Sequence, residues 1–259
     1  MDRWTAFAYS SCSMQSDSTN MDVIEHYRRL QRHSQAVLEE MLADQEAVEA
    51  LTKSQNYLLD YDRMKSAITN RPEVSVLSAA VKEYQFALFA LAAGQYRHAF
   101  VGLRLFFELM LVTIQFSARE IDYRMWESGT KDINWSALKD SQTGIFSAGF
   151  INAFNPQFSE SSKQYSAIAE AVYRECSEFV HGNAVTHLSL PAEIVFDRNA
   201  YFAWHQKSET MRVVITFAFA ARYMNYIEVG AMEAMEPVIL DAIGHLPAVQ
   251  AVLSKTFEE

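Results

Sequence analysis

Two side chains have the types and the spacing to move protons at a phosphodiester: Arg174 and His181, in the stretch Tyr173-Arg174-Glu175-Cys176-Ser177-Glu178-Phe179-Val180-His181-Gly182-Asn183. At about 100° per residue, seven steps along a helix return to within about 20° of one face, roughly 10 Å further along the axis. A long arginine side chain can lean across that interval, so both groups can address one phosphate. His181 falls at the predicted end of its helix, where the macrodipole favours an imidazolium. An imidazole titrating near neutrality can take or give a proton, and a guanidinium can hold two phosphate oxygens and neutralise developing charge.

The spacing recurs in Arg28 with His33 and in Arg198 with His205, so it does not single out a site by itself. The helix-end position and the following Gly182 favour Arg174 and His181. Each also has a plain structural reading. Arg174 can pair with Glu178 one turn on, worth a few tenths of a kcal/mol. His181 can be only a favourable charge at a helix end. Asn183 and His187, just past that end, can reach the same phosphate or cap the loop.

The elements that must hold these groups are helical. Gly (8) and Pro (5) are scarce in 259 residues, half of which are apolar, and no alternating strand series occurs. Apolar positions from Met21 to Asn70 recur at three-to-four spacing between charges of both signs, which predicts an amphipathic helix, or two joined near Lys53. It ends before Asn70-Arg71-Pro72. Val74 to Ala93 predicts a second helix, broken by Gly94. Gln95 to Phe116 predicts a third, apolar nearly all round and therefore central. Its few polar groups, Arg97, His98, Arg104 and Glu108, then matter. Arg104 and Glu108 read as a half-buried i,i+4 pair or as part of a cleft, and this polar set also admits nucleotide or small-ligand sensing. Residues 117–160 predict short helical pieces packed by Trp126 and Trp135, with a turn at Asn155-Pro156. Ser159 to Val180 predicts the motif helix, Thr186 to Phe196 an extended stretch around Pro191, and Asp197 to Val229 another long helix. Tyr201, Trp204 and His205 on that helix read as a packed face ahead of a base-stacking one.

The stretch Tyr173–Gly182 resembles the Arg-x4–6-His signature of the HEPN superfamily. A second likeness runs from Gly94-Gln95-Tyr96-Arg97-His98-Ala99-Phe100 into Leu103-Arg104-Leu105-Phe106-Phe107-Glu108, which is similar to the early core helix of those domains. Together they span about residues 75–230. The resemblance implies an all-α bundle that dimerises through its motif helices, bringing two Arg/His pairs into one cleft. It implies a metal-independent endoribonuclease, with no cofactor, of a toxin, abortive-infection or phage-defence kind. Arg174 and His181 would be catalytic, and Glu178, Asn183, Arg104 and Glu108 would support them or bind RNA. The partners it implies are RNA, a second copy of the chain, and a protein partner or antitoxin. The expected division is a flexible polar arm over 1–20, an amphipathic helix or hairpin over 21–72, and a HEPN-like domain over 73–259. Loss of the chemistry would leave the alternative, a non-catalytic dimerisation or interaction protein of the same fold.

Charge and cysteine usage bound these readings. The chain carries 32 acidic and 22 basic residues, net −10. That counts against general duplex-DNA binding, which needs clustered Lys and Arg. Six acids and one base lie between Tyr223 and Glu259, well away from the motif. The two cysteines, Cys12 and Cys176, have no metal or redox spacing, and Cys176 reads as a core residue. No run of about 18 apolar residues and no signal-peptide pattern is evident, so a cytoplasmic protein without a membrane partner is expected.

Overall fold

A computed structural model describes residues 16–181 and 184–256, and among them there are helices and turns but no strand. The fold is all-α. In chain order the helices are α1 (Ser16–Ala43), α2 (Gln45–Ala67), α3 (Val74–Ala92), α4 (Tyr96–Phe116), α5 (Glu120–Glu127), α6 (Trp135–Leu138) and α7 (Ala148–Phe154). A 3₁₀ turn, Pro156–Phe158, then leads into α8 (Ser159–Ser177), α9 (Ala184–Ser189), α10 (Arg198–Tyr223), α11 (Val229–Ile243) and α12 (Pro247–Thr256).

α4 is the hub. Phe100, Leu103, Phe106, Phe107 and Leu111 are all but inaccessible to solvent. It packs against α3, α8 and α10. The chain reverses between α3 and α4 at Gly94, whose φ of +72° suits only glycine comfortably. The Trp204 indole N–H of α10 donates to the Ala99 carbonyl of α4 at 2.9 Å, and Tyr84 of α3 lies in ring contact with Tyr61, Phe106 and Trp204. Tyr61 belongs to α2, so α2 shares the core with α3, α4 and α10, and the division at 72/73 runs between helices of one core. The part that projects is the first half of α1, exposed from Met21 to Arg29 and buried only at Val37 and Met41.

Several boundaries differ from the sequence reading, each for a local reason. The helix of α1 already includes Ser16–Asn20, assigned above to the polar arm. The break in the N-terminal helical segment is at Asp44, not near Lys53. Asp44 takes extended dihedrals and its carboxylate accepts from the Ala47 N–H at 3.2 Å, starting a new helix. The expected extended stretch from Thr186 begins as helix α9, tied back by a Thr186 hydroxyl that donates to the Glu178 carbonyl at 3.2 Å. Irregular chain starts only at Leu190, ahead of Pro191. α10 stops at Tyr223, whose carbonyl takes both the Tyr226 and Ile227 N–H groups in a tightened turn.

By length and composition α3 and α4 would each suffice to cross a bilayer, although neither is an unbroken apolar run. Of the apolar window in α4, 78% is buried inside the bundle, against 44% for α3. α4 is thus hydrophobic because it is central, while α3 keeps Phe86 and Phe89 exposed on its outer side.

Candidate functional site

The motif residues lie at the end of α8, and the structure defines how that end is held. α8 keeps regular geometry to Ser177, three residues short of the predicted stop at Val180. Ser177 turns its hydroxyl back onto the Tyr173 carbonyl at 2.7 Å, as mid-helix serines do when they compete with the ladder. The next residues wind tighter: Phe179 N–H donates to the Cys176 carbonyl and Val180 N–H to that of Ser177, while His181 N–H reaches Ser177 at 3.2 Å. Phe179 and Val180 thus close i→i−3 bonds, the tighter winding common at helix C-termini.

Arg174 and His181 are both exposed. Among the described residues Arg174 forms no ion pair with Glu178; its charge adds to that of Lys139 in lowering the pKa of Glu170, one turn back. Glu178 is half-buried and its carbonyl holds Thr186. Gly182 and Asn183 lie outside the described residues, as does the side chain of His187.

The end of α8 and the turn that follows it are fastened to α4 by three contacts. Arg97 Nη1 donates to the Phe179 carbonyl at 2.9 Å. Phe179 stacks on Phe100, ring centroids 4.0 Å apart and 7° from parallel, a pair worth about 0.5–1.5 kcal/mol beyond its burial. Arg104 Nε donates to the Ser177 hydroxyl at 2.9 Å. The two stretches that carried the family resemblance therefore meet in space.

Arg104 and Glu108 form the expected i,i+4 pair, 3.7 Å apart, and the pair is closed in. The Arg104 guanidinium lies 4.6 Å over the Tyr173 ring and donates to its hydroxyl, which in turn is 3.4 Å from Glu108 Oε1. The opposite face of Tyr173 is covered by Trp135 of α6, stacked at 3.6 Å. Burial pushes the Glu108 carboxyl up, with Arg104 and Tyr173 pulling it back. This cluster joins α4 to α8 from within, while Arg174 and His181 stand outside it. Trp135, expected only to pack the short helices of 117–160, is thus part of the motif helix's support.

Other candidates are packed away. Cys176 is fully buried and its thiol is pushed up to about 12 by that burial, so it holds its proton. Tyr201, Trp204 and His205 lie in the core, which removes a base-stacking role. Among the described residues no three His, Cys, Asp or Glu side chains come together as a metal-ligand set.

A recess of about 890 Å³ escaped the sequence reading. It opens beside Arg97, between α1, the start of α4 and the segment Leu190–Ile194, and takes in Arg29, His33 and His98. The signals were present, as the His33 match to the motif spacing and as the Arg97-His98 pair on the central helix. Only the tertiary fold puts them on one wall.

Comparison with family models, with curated proteins and with solved structures finds no match to this chain.

Proposed function

We propose that the chain is a metal-independent endoribonuclease of HEPN type, acting as a homodimer through its motif helices. The observation that supports this reading is the fastening of the end of α8 and its following turn to α4 by Arg97, Phe100 and Arg104, with Arg174 and His181 left open to solvent. A catalytic pair needs a fixed backbone and accessible functional groups, and this turn has both.

In the proposed reaction the His181 imidazole removes the proton from an RNA 2′-hydroxyl. The 2′-oxygen forms a bond to the adjacent phosphorus while the bond from phosphorus to the 5′-oxygen breaks. Arg174 neutralises charge on the non-bridging oxygens, and an imidazolium returns a proton to the departing 5′-oxygen. The products are a 2′,3′-cyclic phosphate and a 5′-hydroxyl. Two motif helices in one dimer would supply one imidazole as base and another as acid.

The test is cleavage of a structured RNA pool in EDTA, with analysis of product ends, for the parent and for His181→Ala and Arg174→Ala. Cyclic-phosphate ends from the parent, and loss of at least about a hundredfold in each variant, are expected. Equal cleavage by the variants, or a requirement for Mg²⁺, defeats the mechanism.

A second reading, a non-catalytic interaction module, draws on a different observation: Phe86 and Phe89 of α3 and Leu105 of α4 are exposed large apolar side chains on adjoining helices. Under that reading the parent dimerises and cleaves nothing.

A further inference from the structure

The recess beside Arg97 is built from parts far apart in sequence, and its chemistry differs from that of the rest of the surface. In a chain of net charge −10 its walls carry Arg29, His33, Arg97 and His98, with Glu193 as an acidic counterpoint. Arg29 enters no ion pair among the described residues, its terminal nitrogen lying 3.3 Å from His26 Nδ1 on the same helix. Arg32, nearly one turn on, is by contrast tied to Glu25. Arg97 donates to the Phe179 carbonyl and also lines the recess.

The walls are held in place without a ligand. They converge at Gly94, where an added Cβ would come within 3.0 Å of Val37 and 3.2 Å of Ile194, so α1, the α3–α4 turn and the 190–194 segment already touch. The Tyr96 hydroxyl accepts from the Asp197 N–H at 2.7 Å and donates to the Val195 carbonyl at 3.2 Å, pinning the segment to α4. A preformed recess loses little ordering entropy on binding. Its volume falls in the usual range for small-molecule sites, about 300–1,000 Å³.

The lining divides by polarity. α1 and α4 both contribute an arginine and an imidazole to the lining, and α4's first N–H groups, which the Gln95 side chain does not cap, add positive potential there. Leu190, Pro191 and Ile194 add an apolar stretch to the same lining, with Glu193 able to accept from a sugar hydroxyl or an exocyclic amine. A ligand that suits both the cationic and the apolar part of this lining carries anionic groups and a flat ring, as a nucleotide does.

We propose that this recess binds a nucleotide unit, its phosphates held by Arg29, His33, Arg97 and His98 and its base laid against Leu190–Ile194. The unit can be a free nucleotide or part of an RNA strand, and both present the same phosphate, sugar and base. The proposal does not rest on the cleavage reading, because it involves neither Arg174 nor His181.

The experiment is calorimetric titration of the full chain in EDTA with ATP, with a 5′-phosphorylated RNA tetranucleotide, and with pyrophosphate. The RNA arm uses the His181→Ala protein. At least one nucleotide probe should bind, and Arg29→Glu should weaken it by at least about tenfold, His98→Ala by about threefold or more. Both altered side chains are exposed, and circular dichroism melts confirm that the variants fold. Arg28→Glu, a charge reversal of the same size at a residue that does not line the recess, should leave most of the affinity. Binding of ATP alone assigns a free nucleotide; binding of the tetranucleotide alone assigns a strand. No binding of either at millimolar concentration overturns the proposal. So does affinity indifferent to Arg29→Glu, or pyrophosphate binding as tightly as ATP, which would reduce the site to an anion trap.

Discussion

Arg97, in the first turn of α4, donates to the main-chain carbonyl of Phe179, 82 residues later, at 2.9 Å. Phe179 lies past the last residue of α8, where carbonyls have no helical donor. One side chain thus satisfies the end of the motif helix and also lines the nearby recess. Replacing it by methionine keeps the apolar stem and removes the donors. Arg97→Met should cost about 1–2 kcal/mol by urea denaturation and speed amide exchange at Val180 and His181. Unchanged exchange at those amides would show that Phe100 and Arg104 hold the turn without Arg97.

Two glycines share a left-handed backbone and differ in what surrounds them. Gly94 has φ +72° with Val37 and Ile194 at 3.0 and 3.2 Å from a would-be Cβ; Gly129 has φ +70° with nothing within 4 Å. Alanine at either position incurs the backbone strain, roughly 1–2 kcal/mol. Gly94→Ala should cost more than Gly129→Ala, since it also pushes α1 and the 194 segment apart. Denaturation midpoints of the two variants give the comparison directly, and equal losses would mean that the walls at Gly94 yield freely.

Helix identity was legible because its cause is local. α3 and α4 follow from an apolar period broken by Gly94, and the observed ends fall within a residue of those expected. The end of α8 was not legible, because the Ser177 hydroxyl is held between the Tyr173 carbonyl and Arg104, which arrives from another helix. The role of α2 was hidden for a similar reason: charges on its outer face look like those of an appendage, and only the meeting of Tyr61 with Tyr84 and Phe106 makes it core. At the candidate site the sequence supplied Arg104 with Glu108 as a pair. It could not supply Trp135 over Tyr173, or the convergence of α1, α4 and the 190s segment. Those are long-range packing events without a periodic signature.

His205 should make the protein acid-sensitive. Its imidazole is buried against Tyr201 and Trp204, with Nδ1 2.7 Å from the Ser54 hydroxyl, and burial lowers its pKa to about 4 from the usual 6.5. The folded state thus binds this proton less readily than the unfolded state. The stabilisation is complete above about pH 6.5 and lost as pH falls through about 4, up to about 3 kcal/mol in all. Urea midpoints measured between those limits should fall steadily for the parent. His205→Asn should flatten that part of the profile, whatever it costs at neutral pH. A variant with the parent's slope would assign the acid sensitivity elsewhere.

Arg212 of α10 carries the other strong stability prediction. Its side chain is 7% exposed, its guanidinium sits 4.7 Å over the Tyr57 ring, and Nε donates to Asp60 at 2.7 Å while Nη1 reaches Asp241 at 2.8 Å. The two carboxylates differ sharply in exposure, at 11% for Asp60 and 71% for Asp241. Water can replace Arg212 at Asp241 but hardly at Asp60, which would keep only Arg63 at 3.3 Å. Arg212→Met should therefore cost about 3–5 kcal/mol, most of it the penalty of a buried carboxylate left short of charge. Asp241→Asn should cost less than about 1 kcal/mol, as exposed pairs do. Adding Asp60→Asn to Arg212→Met should recover much of the loss, because the stranded charge is gone. If the double variant is as unstable as the single one, the guanidinium's packing on Tyr57, and not its charge, is what α2 and α10 require.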